Sequence, residues 1–335
     1  MMALRPRAFA LIAAVALLSA CARGESKPPV TKLRVFVQAY LAHAPLLVAQ
    51  AEGYFAEQGL EIEWVRLSDP AAATPMLING TLDVMPGGAS PGVLNAMARG
   101  LPIRAVSDKG YFKSNSCSRG GLALRSTLAS AGGDARTRVH RISIDKQPQQ
   151  QYLVERMLEK VGLRMKDLEV LYIPHLPEID AFSKGTVDAA LANDPYHTML
   201  LDKKVAVPWV RLEDVFPDMQ FSFLFFGPSL LQKNPDAGVR FLVAYLKAAR
   251  QLEKGKTPHN LEVVTRVTEE GADAVKQMCW PAYYPDGHVD LQSITDFQKW
   301  ALERKFIERI VTENEFYEPK LIARANAALA RETTQ

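Results

Sequence analysis

Two rhythms of apolar residues alternate along this chain. Short apolar runs of strand type lie at Leu33–Val37, Ile62–Val65, Asp83–Met85, Arg141–Ile144, Glu169–Tyr172 and Phe221–Phe226. Between them, apolar residues recur at three- and four-residue spacing, as in Pro45–Gln58 (Leu46, Leu47, Ala49, Phe55), Ala71–Ile78 and Gln149–Val161, which predicts helices there. Ser90-Pro91 opens a further helix, with proline where its missing N–H is harmless, and Gly100 ends it. Strand, helix and strand in turn predict an α/β protein with mostly parallel sheets.

The pattern also repeats itself. Gly80-Thr81-Leu82-Asp83-Val84 is echoed by Gly185-Thr186-Val187-Asp188-Ala189, and each phrase lies just over twenty residues after a Gly-Leu pair, Gly59-Leu60 and Gly162-Leu163. Each copy reads as a β-α-β unit too small to be a domain. Two such units about a hundred residues apart predict two similar lobes with a cleft between them, the place for a small molecule.

The rhythm fails between Ser107 and Gly121, which predicts the first crossing between lobes; Phe221–Phe226, followed by Gly227-Pro228, reads as the return. The expected lobes are 33–115 with 226–335, and 116–225. The remainder is helical, with Phe241, Leu242, Tyr245, Leu246 and Ala249 on one apolar face and Ile294, Phe297, Trp300 and Ala301 on another, both read as core packing.

The amino end changes the picture of compartment. Arg5 and Arg7, the apolar run Ala8–Leu18 and Leu18-Ser19-Ala20-Cys21 form an export signal, expected to be removed as residues 1–20. Its end resembles a bacterial lipoprotein signal, which makes Cys21 the lipidated first residue and 21–32 a polar tether. The expected location is the periplasm, anchored to the cell membrane by lipid alone. Formal charge is +3 for the whole chain and +1 without residues 1–20. Near neutrality and the absence of like-charge blocks argue against nucleic acid as a partner. Cys117 and Cys279 remain: they can pair in an oxidising compartment or stay as two buried thiols, and their spacing does not decide between these.

Several motifs carry less chemistry than their letters suggest. Gly88-Ala89-Ser90-Pro91-Gly92 fits the G-x-S-x-G pattern, and a serine hydrolase using Ser90 with His288 is one reading. Pro91, however, lacks the N–H that would complete an oxyanion hole. Gly255-Lys256-Thr257 lacks the earlier glycine of a phosphate loop, where Arg250 stands. The six histidines and three cysteines show no metal-ligand spacing, so neither a metal nor a cofactor is expected.

The turns after the strands are the better candidates, because open parallel sheets bind ligands beyond the carboxyl ends of their strands. In the first lobe these are Gln38-Ala39-Tyr40 with His43, and Gly87-Gly88-Ala89-Ser90; in the second, Lys146-Gln147-Pro148-Gln149-Gln150 and Asn193-Asp194-Pro195-Tyr196. Helices opening there would offer free N–H groups to an acceptor or anion. Tyr40, Tyr111, Tyr196 and Phe225 would supply stacking walls.

The run His43-Ala44-Pro45, followed by Ala49-Gln50-Ala51-Glu52-Gly53-Tyr54-Phe55-Ala56-Glu57-Gln58-Gly59-Leu60, resembles the signature of solute-binding lipoproteins of bacterial ABC importers, in the nitrate/sulfonate/taurine and thiamine-precursor (pyrimidine) group. Asn79–Gly88, Gly100-Leu101-Pro102, Gly162-Leu163 and Gly185–Tyr196 continue the likeness over most of the chain. The resemblance implies the type II periplasmic-binding fold, a monomer that closes on one small organic solute and hands it to an inner-membrane ABC permease. It places the solute contacts on Tyr40, His43, Gly88, Ala89, Ser90, Gln147, Gln149, Gln150, Asp194 and Tyr196, with Tyr111 added by the aromatic argument. Lys146-Gln147-Pro148-Gln149 stands where transporters of small sulfonates show a Gly-Ser-Thr-like turn, so the aromatic set points to a pyrimidine or flavin-like solute, with a sulfonate, taurine or nitrate-type anion as the alternative. A yeast-type pyrimidine synthase shares the fold but needs a cysteine-rich iron motif and a lysine-bound pyridoxal cofactor. This chain has no cysteine cluster, so the resemblance implies a binding protein and not an enzyme.

Overall fold

The structure, a computed structural model, describes residues 30–117 and 120–333. Residues 1–20, Cys21 and most of the tether lie outside the described residues. Ten strands form two sheets: β1 (Thr31–Phe36), β2 (Leu60–Val65), β3 (Val84–Gly87), β4 (Arg104–Asp108), β5 (Gly120–Arg125), β6 (Arg141–Ser143), β7 (Glu169–Leu171), β8 (Ala189–Asn193), β9 (Ala206–Arg211) and β10 (Phe223–Phe226). Their orders are β2-β1-β3-β10-β4 and β7-β6-β8-β5-β9. In the first sheet only β10 runs against its neighbours, and in the second only β5, so each sheet is mostly parallel with one reversed strand. The reversed strand is in each case the first one after a crossing. Phe223–Phe225 therefore sit in the first sheet, although the expected boundary gave that lobe only residues from 226 onward.

The reason is visible in β10 itself. Phe223 and Phe225 enter one apolar cluster while Leu224 and Phe226 enter another, on the opposite face, and all four are fully buried. An all-apolar strand suits a central position covered on both faces, and β10 takes it between β3 and β4. Phe225 packs edge-on to Phe316 in the core, so it is no wall of a cleft.

The sequence echo is a structural device. The Asp83 N–H donates to the Arg34 carbonyl (2.9 Å), the Arg34 N–H donates to Asp83 Oδ2 (2.7 Å), and the Arg34 guanidinium reaches Asp83 and the Gly80 carbonyl (2.6 Å). In the second lobe Asp188 and Arg141 repeat each bond: Asp188 N–H to the Arg141 carbonyl (3.0 Å), Arg141 N–H to Asp188 Oδ2 (2.9 Å), guanidinium to the Gly185 carbonyl (2.7 Å). Gly80 (φ +75°) and Gly185 (φ +70°) end their helices in the left-handed region, which turns each carbonyl toward the arginine. The arginines, which the repeated phrases do not include, tie β1 to β3 in the first lobe and β6 to β8 in the second.

The expected helix over Pro45–Gln58 is two, Ala44–Ala51 and Tyr54–Glu57, because Gly53 adopts φ +78° between them. Cys117 and Cys279 are joined in a disulfide with Cα atoms 5.6 Å apart. Among the described residues no helix is long and apolar enough to cross a membrane.

Candidate functional site

The first crossing leaves β4 at Asp108 and immediately supplies a cation. Lys109 is buried; its Nζ donates to the Ala42 carbonyl (2.8 Å) and its N–H to the Ser222 carbonyl of the second crossing (3.0 Å). It lines a cavity of about 240 Å³ with Ala42, Gly110, Phe112, Phe221, Ser222 and Pro281 on one side and Asn193 and Asp194, at the carboxyl end of β8, on the other. Residues of both lobes and both crossings thus meet around one hollow.

Burial sets the protonation of its surroundings. The Asp108 carboxylate accepts the N–H groups of Gly110 (2.7 Å) and Tyr284 (2.8 Å), yet burial outweighs these donors and pushes its pKa up to about 7. His43, behind the cavity wall, takes the Gln38 N–H at Nδ1 (3.4 Å) and meets the edge of Phe36. Burial, helped by the Lys109 cation, holds it well below the ordinary histidine range, so it is neutral.

Asp194 joins this floor to a second hollow on the wall of the second lobe. Its Oδ1 accepts from the Thr198 hydroxyl (2.7 Å) and N–H (3.2 Å), and its Oδ2 faces the Cys279 N–H (3.4 Å). Two residues on, Tyr196 stacks on His175 with ring centroids 4.5 Å apart. Both rings line a cavity of about 630 Å³ with Ile144, Asp145, Lys146 and Tyr172–Pro177, beyond the ends of β6 and β7. Tyr172 and Leu176 are exposed there. The buried Glu178 carboxylate, 3.8 Å from His175 Nδ1, raises the histidine's pKa.

At each of the four expected turns an N–H at or just before the helix start is already taken. Leu41 donates to the Glu270 carboxylate (3.1 Å), Val93 to Ser90 Oγ (3.4 Å), Gln147 to Asp145 Oδ1 (3.0 Å) and Thr198 to Asp194. At each turn one donor is thus held by a side chain of the chain itself. Three of the four acceptors are carboxylates, and helix Pro148–Lys160 has no side-chain cap of its own. Ser90 is a helix cap, and His288 pairs with Asp286 (2.8 Å) and lies on Tyr284, which is how the hydrolase-like letters are used.

The sequence-expected residues are distributed unevenly. Asp194 lines the floor with His43 behind it, and Tyr196 lines the wall. Tyr40 stands 46% exposed ahead of the turn Leu41–His43. Gly88 faces Gln149 across the lobes so closely that a Cβ on Gly88 would stand 2.5 Å from Gln149 Oε1. The seam beside them, lined by Ala89, Gln149 and Tyr152, holds a void of only about 10 Å³. Gln147 and Gln150 sit at the opening of helix Pro148–Lys160. Tyr111 lies flat on Tyr284 (4.2 Å), and burial pushes its hydroxyl to about 12. Lys109, Phe112 and Phe221 were missed; the available signal was a lysine placed directly after a strand at the start of a crossing. Among the described residues no group of three or more His, Cys, Asp or Glu side chains is arranged to hold a metal ion.

Comparison with known proteins places this architecture. The synthase of 4-amino-5-hydroxymethyl-2-methylpyrimidine phosphate named THI11, from Saccharomyces cerevisiae, is 38% identical over 65 residues, which is 19% of this chain and 19% of the yeast protein. The match therefore spans about a fifth of each chain. Among solved structures, a putative periplasmic sulfonate-binding protein SsuA from Methylobacillus flagellatus KT superposes with a TM-score of 0.72 at 16% identity, covering 91% of this chain and 97% of that one. The periplasmic nitrate-binding protein NrtA from Synechocystis PCC 6803 gives 0.69 at 12%, covering 90% of each. The desulfurization enzyme DSZB gives 0.65 at 15%, covering 90% and 99%. At these identities the likeness is one of fold: two α/β lobes as in periplasmic binding proteins. Residues 41–254 match the family described as NMT1/THI5 like, and the chain belongs to that family.

Proposed function

We propose that this chain is the extracytoplasmic receptor of an ABC importer, which captures a small organic solute between its lobes and presents it to an inner-membrane permease. In this reading residues 1–20 are an export signal, Cys21 carries the lipid, 21–32 are the tether, and the protein works in the periplasm as a monomer without bond chemistry. Closure follows from the differential affinity of the solute for the closed state. The observation that carries the reading is the hollow where both crossings meet, lined by the buried Lys109, by Asp194 and by Phe112 and Phe221.

The solute class follows from the same charges. Carboxylates at three of the four strand-end turns disfavour a small oxyanion there and favour a flat heterocycle that offers N–H donors to Asp194 and an acceptor to Lys109. A sulfonate- or nitrate-type anion is the second reading, supported by Lys109 and Lys146 and by the fold shared with proteins that bind such anions. Calorimetric titration with 4-amino-5-hydroxymethyl-2-methylpyrimidine, a flavin, an alkanesulfonate and nitrate separates them. Binding of the heterocycle, weakened about ten-fold or more (~1.4 kcal/mol) by Lys109→Met and by the cap-preserving Asp194→Asn, is the expected result. Binding of none, with turnover of an ester lost on Ser90→Ala, would sink it in favour of an enzyme.

A further inference from the structure

The carboxyl-terminal part of the chain makes an excursion between the lobes. It sets out from the second crossing, where Ser293 Oγ accepts the Gln220 N–H (2.8 Å) and Gln220 Oε1 accepts the Asp290 N–H (2.6 Å). It ends on the first lobe, where Asn95 holds the Phe306 carbonyl (3.0 Å) and the Glu308 N–H (2.9 Å), and the Glu318 N–H donates to the Ala105 carbonyl (2.9 Å). Between these anchors, helix Gln292–Glu303 lies on the second lobe's helix Pro148–Lys160. Trp300, 2% exposed, donates its indole N–H to Glu155 Oε2 (2.7 Å). Arg304 pairs with the same oxygen while its guanidinium lies 4.6 Å over the Trp300 ring. Tyr152 meets the edges of Phe297 (5.6 Å) and Trp300 (5.7 Å).

We propose that helix Gln292–Glu303 is a latch, a third and non-covalent tie that holds the lobes together along the Gly88–Gln149 seam. Two crossings alone permit rotation about themselves. With the latch in place, parting the lobes at this seam would bare the Phe297 and Trp300 rings to water and strip Glu155 of both its donors. The seam is closely packed, with a void of about 10 Å³ and the Gln149 amide lying directly against Gly88. The latch concerns the resting position of the lobes and holds whatever the solute proves to be.

Hydrogen exchange read by mass spectrometry on the full, solute-free chain tests this. Glu155→Ala with Arg304→Ala removes the polar half of the latch, and both side chains are partly solvent-exposed, so the core is left in place. The expected result is faster exchange by about ten-fold in three peptides together, 146–156, 292–304 and 86–92, with the β6 and β8 peptides unchanged. The 86–92 turn is the telling one, because it touches neither substituted residue's ion pair. Glu155→Gln, which keeps an acceptor for the indole and loses the ion pair, is expected to fall between wild type and the double variant. Faster exchange confined to 292–304, or no change at 86–92 in either variant, would overturn the latch and leave ordinary helix packing; a fall in thermal midpoint with the β6 and β8 peptides also exchanging faster would do the same, as general loosening.

Discussion

Two buried groups, Asp108 at the head of the first crossing and His43 in the turn after β1, give this protein opposed responses to pH. Asp108 has its folded pKa raised from 3.8 to about 7 by burial. Between these values the folded chain holds a proton that the unfolded chain has lost, so this group makes stability fall as pH rises from about 4 to about 7, by about 4 kcal/mol at most. His43 has its folded pKa lowered by burial and by Lys109, so the unfolded chain binds the extra proton and this group makes stability fall as pH drops below 6.5. The two slopes oppose each other in the range just below pH 6.5. Denaturant melts across that window are expected to be nearly flat for the wild type, to rise with pH for Asp108→Asn, and to fall with pH for His43→Gln. Parallel curves for all three would contradict the burial of both groups.

Among the elements, the paired Arg–Asp–Gly device should dominate local stability. Burial alone would raise the Asp188 carboxyl, but the His140 and Arg141 N–H groups and the Arg141 guanidinium outweigh it and hold the group below the usual aspartate range. Its contribution is therefore present above about pH 4 and is lost as pH falls through the lowered value. Asp188 also holds Arg125 (2.7 Å), which Asp83 has no counterpart for, so Asp188→Ala is expected to cost about 3–5 kcal/mol and more than Asp83→Ala, read from denaturant midpoints near neutral pH. Much of this scale was legible in the chain. The repeated phrase identified the β-α-β units, and the apolar character of Phe221–Phe226 located a strand at the return crossing. What escaped were contacts whose partners lie far along the sequence: Glu270 capping Leu41, Trp300 meeting Glu155, and Lys109 turned into a hollow by the second crossing. The break at Gly53 was missed for another reason, since a glycine inside a helical pattern does not announce which φ it will take.

At the scale of the whole molecule, the Cys117–Cys279 disulfide spans 162 residues and joins the first crossing to the segment that bears Pro281 on the cavity floor. Removing a native cross-link over so long a loop is expected to cost about 2–5 kcal/mol. Denaturant melts of Cys117→Ser with Cys279→Ser, or of the wild type with and without a reductant, measure this, and coincident curves would deny the link a role. The order of strands has a consequence of its own for how the chain assembles. All five strands of the second sheet lie within 120–211, whereas β3 and β4 of the first are joined only through β10, at 223–226. A chain that emerges amino end first therefore carries two open edges until the inner lobe has been made, and pulsed exchange during refolding should find the β5–β9 amides guarded before those of β3 and β4. The half that comes out first is the half that finishes last, and any holding factor that attends this protein before it folds has the segment 84–108 to shield.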